Sequence, residues 1–218
     1  MNNLWVSVCL IFTISLAAQY ADPNMPVYDN VPQALQDAGA TQLNLRDQQL
    51  FHVDSNVKQL TDLKFLNLMR NNLEVWDPEI FELKNLEVLN VRTNKLKTLP
   101  EGIINFQKLI TLDIAKNNIQ SIPDYIGELH DLKYLHFSVN ELSVISPAIS
   151  KCEQLEVLEL QNNQISHLPD EITKLKNLRE LNLAYNQYHE FEESLGGFKN
   201  LEILNLENNS LTVIPASI

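Results

Sequence analysis

Cysteine, glycine and basic charge are all scarce in this chain. Its 218 residues hold two cysteines, Cys9 and Cys152, too few for a disulfide framework. Five glycines and nine prolines exclude collagen-like and low-complexity classes. Sixteen lysines and arginines face twenty-eight aspartates and glutamates, a formal charge of −12. Phosphate backbones and anionic lipid reward a basic field, so neither nucleic acid nor an anionic membrane surface is the expected partner. What is present is a 44% hydrophobic share with 20% charged residues, enough to bury a core and avoid disorder.

Chemical motifs are missing too. The histidines, His52, His130, His136, His167 and His189, have no zinc spacing with cysteine, and there is no HExxH. Neither GxSxG, nor GxGxxG, nor a phosphate-cradling glycine loop occurs. No catalytic residue, metal or cofactor is therefore expected. Cys152 stands where other repeats carry Leu or Phe, which predicts a buried, unreactive thiol.

One apolar run opens the chain. Leu4 to Ala18 is uncharged over fifteen positions, short for a membrane span but the length of a signal-peptide core. Residues 1–18 are expected to be a cleaved leader, with no membrane insertion after cleavage. The protein is then secreted or held at the cell envelope; an uncleaved leader would leave it in the cytoplasm.

From residue 40 onward one pattern recurs every 23 positions. Leu63-x-x-Leu66-x-Leu68-x-x-Asn71-x-Leu73 returns as Leu86/Leu89/Val91/Asn94/Leu96 and then as Leu109/Leu112/Ile114/Asn117/Ile119. The series runs on to Leu201/Leu204/Leu206/Asn209/Leu211, and a degenerate first copy surrounds Leu43, Leu45 and Gln48. Two leucines alternating with an outward residue have the period of a strand with one buried face. So short a strand cannot bury its leucines alone, but stacked repeats make a continuous core. The Asn71-to-Asn209 column follows each strand where the chain turns inward. An amide has both donors and an acceptor, so these side chains are expected to satisfy turn backbone groups.

These motifs, with the Leu99-Pro100-x-x-Ile103 segment and its recurrences, resemble the leucine-rich repeat family over about four fifths of the chain. The 23-residue length with LPxxI is similar to the subclass of bacterial and Ras-group repeat proteins. The resemblance implies an α/β fold: a right-handed solenoid of about eight repeats, with a parallel sheet on the concave face and short helices or 3-10 turns on the convex face. Residues 19–39 are then an N-terminal flank with a capping helix from Asn30 to Gly39, its Val31, Leu35 and Ala38 over the first repeat. Residues 40–218 form the repeat domain. Its last repeat is incomplete at Ile218, which predicts a fragment or an edge-to-edge contact there.

A fixed register identifies the outward residues of the concave face. Six basic residues, Arg46, Lys64, Arg70, Arg92, Lys116 and Lys133, fall in early repeats. Glu156, Glu159, Glu180, Glu202 and Glu207 fall in late ones, which predicts a charge-graded face. A flanking stripe of Phe65, Val88, Tyr134, Val157 and Ile203 is expected to expose apolar surface. Aromatics and arginine anchor interfaces. The expected partner-binding residues are Phe65, Arg70, Arg92, Asp113, Lys116, Tyr134, His136, Glu159 and Tyr185. The expected role is a non-enzymatic, exported module that binds a protein partner. The alternatives are an intracellular signalling scaffold of the Ras-group type and a glycan-binding surface protein that stacks sugars on Tyr134 and Tyr185.

Overall fold

The computed structural model describes residues 21–191 and 193–212. The expected leader and the end of the last repeat lie outside the described residues.

Among the described residues, ten strands follow one short helix, α1 (Val31–Ala34). They are β1 (Gln42–Asn44), β2 (Phe65–Asn67), β3 (Val88–Asn90), β4 (Thr111–Asp113), β5 (Ser121–Ile122), β6 (Tyr134–His136), β7 (Val144–Ile145), β8 (Val157–Glu159), β9 (Glu180–Asn182) and β10 (Ile203–Asn205). Eight form one sheet in the order β1-β2-β3-β4-β6-β8-β9-β10, and β5 pairs with β7 apart from it. Every pairing is parallel and pairs residues 23 apart, as Leu66 with Leu89 and Leu112 with Leu135. Such pairing places identical repeat positions side by side, so each column of the sequence becomes a row across the sheet.

The strand leucines Leu66, Leu89, Leu112, Leu135, Leu158 and Leu181 are fully buried. Behind them, 3-10 helices of five residues line the convex side, among them Glu101–Asn105, Asp124–Glu128 and Pro147–Lys151. Each inserts one isoleucine or valine, from Val57 through Ile80, Ile103, Ile126 and Ile149 to Ile172. Every such side chain contributes about 1.5–3 kcal/mol of burial, shared across repeat boundaries. Pro100, Pro123 and Pro169 sit just before their 3-10 helices, while Pro78 and Pro147 occupy the first helical position. Both placements suit a residue that lacks an N–H. Gly127 has little room on this side, since a Cβ there would meet the Ala148 carbonyl at 2.6 Å.

The asparagine column does what its donors and acceptor predict. The Nδ2 of Asn117 donates to Val91 O at 3.1 Å and Ile114 O at 3.0 Å, while its Oδ1 accepts from Leu96 N at 3.0 Å. Asn94, Asn163 and Asn186 repeat the scheme. Each amide therefore ties two repeats together.

At the N-terminal end, Tyr28 bridges to Leu43 and extends the sheet edge. The Asn30 side chain caps α1 by accepting from Gln33 N at 2.8 Å, as expected. The helix is shorter than the sequence suggests, ending at Ala34 rather than running to Gly39. The Asp37 carboxylate accepts from Tyr28 Oη and from Gly39 N, which fixes a turn in place of a further helical turn. Ala34 consequently joins Val31 against the core, and Ala38 is exposed.

Cys152 is fully buried, its Sγ donating to Ile126 O at 3.2 Å. Burial pushes its thiol pKa up to about 12, so it stays protonated and inert.

Candidate functional site

The concave face is made by three outward rows, and the middle row is mainly asparagine. Asn67 Oδ1 accepts from Met69 N, Asn90 from Arg92 N, Asn182 from Ala184 N and Asn205 from Glu207 N, at 2.9–3.1 Å. The row therefore has a local structural purpose: the side chain closes a turn two residues on. In the sequence this was not separable from a solvent-facing surface column.

Three consecutive repeats depart from asparagine. Asp113, His136 and Glu159 lie on β4, β6 and β8, paired in register. Asp113 keeps the turn bond, accepting from Ala115 N at 3.0 Å. The His136 Nδ1 instead lies 2.8 Å from Glu159 Oε2. Asp113 and His136 are each only 1% exposed, and the Glu159 side chain 22%. Arg92 reaches across with Nη1 3.7 Å from Asp113 Oδ2, a charge contact too long for a hydrogen bond.

The electrostatics of this row follow from burial opposed by neighbours. Burial alone would depress the His136 pKa, but the hydrogen bond and charge of Glu159, with the charge of Asp113, raise it. Glu159 is held below the usual carboxylate range, because the hydrogen bond and charge of His136 and the charge of Arg92 outweigh its burial. Asp113 and Glu180 are pushed up, mainly by burial. The row thus holds a hydrogen-bonded His136–Glu159 pair in which each partner favours the charged form of the other, flanked by the Asp113 and Glu180 carboxyls, whose ionisation burial opposes.

The other expected residues fall in three places. Tyr134 is half-buried on β6, in register with Thr111 and Val157. Arg70, Lys116 and Tyr185 are exposed on the turns after the strands, in left-handed backbone with φ of 56°, 55° and 55°. Their column, which also contains Thr93 and Val139, is left-handed in every repeat from Asp47 to Asn208. Only Asp47, Asn162 and Asn208 signal that conformation in the sequence.

Phe65 is not exposed as expected; it is buried between Gln42 and Val88. The Gln42 side chain is drawn over the edge by hydrogen bonds that its Nε2 donates to Asp22 O and Met25 O. Thr111 in the same column is buried as well, and Val88, Val157 and Ile203 are half-buried, so no continuous apolar stripe faces solvent. The charge gradient also needs correction. Lys64–Glu87, Lys133–Glu156 and Arg179–Glu202 pair at 2.9, 3.4 and 3.8 Å along one flank. Early basic charge is thus partly neutralised by Glu87, and a late acidic residue is answered by Arg179.

Among the described residues, no group of three or more His, Cys, Asp or Glu is placed to hold a metal ion. No described helix is long and apolar enough to cross a membrane.

Solved structures similar to this chain are repeat proteins. An internalin from Listeria monocytogenes superposes with a TM-score of 0.76 at 27% identity, covering 89% of this chain and 56% of that one. The ectodomain of the plant membrane receptor kinase GASSHO1/SCHENGEN3 from Arabidopsis thaliana, solved with CASPARIAN STRIP INTEGRITY FACTOR 2, gives 0.72 at 27% identity over 85% of this chain and 23% of that one. A plant peptide hormone receptor, RGFR1, in complex with RGF2 gives 0.62 at 27% identity over 78% of this chain and 32% of that one. The chain thus spans under two thirds of the length of each. Among curated proteins none matches. Residues 42–144 match the family described as leucine-rich repeat region, and 148–188 and 200–218 match leucine rich repeats. With three quarters of its length so matched and its parallel sheet in unbroken 23-residue register, the chain belongs to the leucine-rich repeat family.

Proposed function

We propose that this chain is an exported, non-catalytic module that binds a protein partner on its concave sheet face. The carrying observation is the geometry of that face. A rigid parallel sheet presents Arg92, Tyr134 and Glu159 along its centre, with Arg70, Lys116 and Tyr185 exposed at the turns. A preformed surface loses little ordering entropy on binding, so these side chains can be spent on recognition. Two of the similar structures are receptors solved with a peptide or protein factor on them, which supports the same use here. Export rests on the apolar run from Leu4 to Ala18.

Site-specific photo-crosslinkers at positions 116 and 185, with one at Lys151 on the convex side, test the face. The expected result is one protein species crosslinked from the concave positions alone, lost when Arg70 and Lys116 are both changed to Glu. Crosslinks from position 151 only would remove the concave face from the account. The N-terminal sequence of protein recovered from medium and envelope tests export: a start just after Ala18 is expected, and an intact Met1 in cytosol would contradict it.

A further inference from the structure

Three successive repeats give up an asparagine that satisfies their own backbone. Five of the eight positions in that row are asparagine: Asn44, Asn67, Asn90, Asn182 and Asn205. His136 and Glu159 surrender the turn bond and turn to each other. A local rule broken at adjacent positions marks a site with a purpose beyond closing its own turns.

A second, independent observation points to a ligand. Thr111 Oγ1, Asp113 Oδ2, His136 Nε2 and Gln161 Oε1 are buried, and none has a hydrogen-bond partner among the described residues. All four belong to β4, β6 or β8 or lie two residues beyond, on the outward face of three neighbouring strands. Buried polar atoms rarely go unpaired, so four together describe a missing set of partners. When His136 donates its Nδ1–H to Glu159, its neutral ring leaves a lone pair on Nε2. Asp113, His136 and Gln161 then offer three acceptors, and Thr111 a hydroxyl.

We propose that the Asp113–His136–Glu159 row is the receptor site for a basic side chain of the protein partner, a lysine ammonium or an arginine guanidinium. The inference rests on the concave-face reading above and names the chemistry of what that face takes. Donor-rich cations match three acceptors, whereas an anion would meet three carboxyl groups, Asp113, Glu159 and Glu180, against Arg92 and, when it is protonated, His136. The chain's charge of −12 adds long-range attraction for a basic partner. Arg92 is the internal stand-in. Its guanidinium is near Asp113 Oδ2 yet unbonded to it, and its side chain, already 29% exposed, swings aside to admit the partner's cation.

Binding is linked to one proton. The charged and titratable groups facing His136 are Glu159 from β8, Asp113 from β4, Arg92 from the turn after β3 and Glu180 from β9. A protonated His136 repels the incoming cation and has no free acceptor at Nε2. Its proton therefore leaves to water as the cation binds, and affinity rises with pH.

The test titrates the full chain with N-acetyl-arginine amide, and with its neutral citrulline analogue, while the 15N resonances of the His136 ring are followed. Expected are a saturable shift with the arginine compound alone and tighter binding at pH 8 than at pH 6 by about fourfold or more, as proton release from a histidine with raised pKa requires. Asp113→Asn should lose the response. That variant keeps the fold, because asparagine at this row accepts the same turn N–H elsewhere. Arg92→Ala should bind the probe severalfold more tightly. An unmoved His136 ring, an equal response to citrulline, or affinity falling from pH 6 to pH 8 would overturn the proposal. Any of these with concave crosslinks intact would defeat the cation site alone; loss of the crosslinks with the titration intact would defeat the concave-face reading alone.

Discussion

Between the two leucines of each strand, the outer repeats and the central repeats do different things with the same position. In the outer ones an asparagine closes its own turn and needs nothing further. In the central ones Asp113, His136 and Glu159 put titratable groups in the row, His136 and Glu159 hydrogen-bond to each other, and buried atoms are left unpaired. The backbone is the same in both regions, so the difference lies wholly in the side chains. A solenoid separates these two tasks well: the repeated leucines and ladder asparagines carry the fold, and a single row can be spent locally on binding.

Breaking the structural part of this contrast should have the largest effect. Asn117→Ala removes a buried amide that bonds Val91 O, Ile114 O and Leu96 N, and leaves those groups unsatisfied. Urea unfolding should show a loss of about 3 kcal/mol. The same substitution at the exposed Asn162 should cost far less.

The central pair should impose a pH dependence that the outer repeats lack. His136 has a raised folded pKa, so its contribution is full below the ordinary value of 6.5 and is lost as pH rises through the folded one. Glu159 has a lowered pKa, so its contribution is present above the ordinary 4.5 and is lost as pH falls through the folded one. Stability should therefore be greatest between these limits. His136→Asn should flatten the alkaline arm, worth on the order of 1 kcal/mol, in unfolding curves from pH 5 to pH 9.

Replacing Asp113 by Asn converts a central position into an outer one. Burial raises the Asp113 pKa, so its ionised form is disfavoured in the folded chain at neutral pH. Asp113→Asn should stabilise by about 1 kcal/mol at pH 7, with the gain shrinking as pH falls and the wild-type carboxyl protonates. A loss at pH 7 would mean that the Arg92 and His136 charges already compensate the buried carboxylate.

The smallest effect concerns the left-handed turn column. Val139 is β-branched at φ 57°, where Asn162 and Asn208 sit in other repeats. Val139→Asn should relieve strain and raise stability by about 0.5–1 kcal/mol, read from the thermal midpoint.

Much of this was legible in the sequence because a solenoid converts period directly into register. Leu66 beside Leu89 and Asn94 bonding back to Leu68 follow once the 23-residue spacing is seen. The site was only half legible. Asp113, His136 and Glu159 were recognisable as outward neighbours, but alternation says only which face a residue takes, not how deeply concavity buries it. Phe65 departs from its expected exposure for that reason, as its cover comes from Gln42 and the segment before β1. The left-handed column was hidden because Val139 and Tyr185 do not advertise the conformation they adopt.

The most direct test of the central contrast is the pH titration of the His136 ring nitrogens by NMR, in wild type and in Glu159→Gln. The wild-type midpoint is expected above that of an ordinary histidine, with a clear fall in the variant. A wild-type midpoint at or below the ordinary value, unmoved by the substitution, would contradict it.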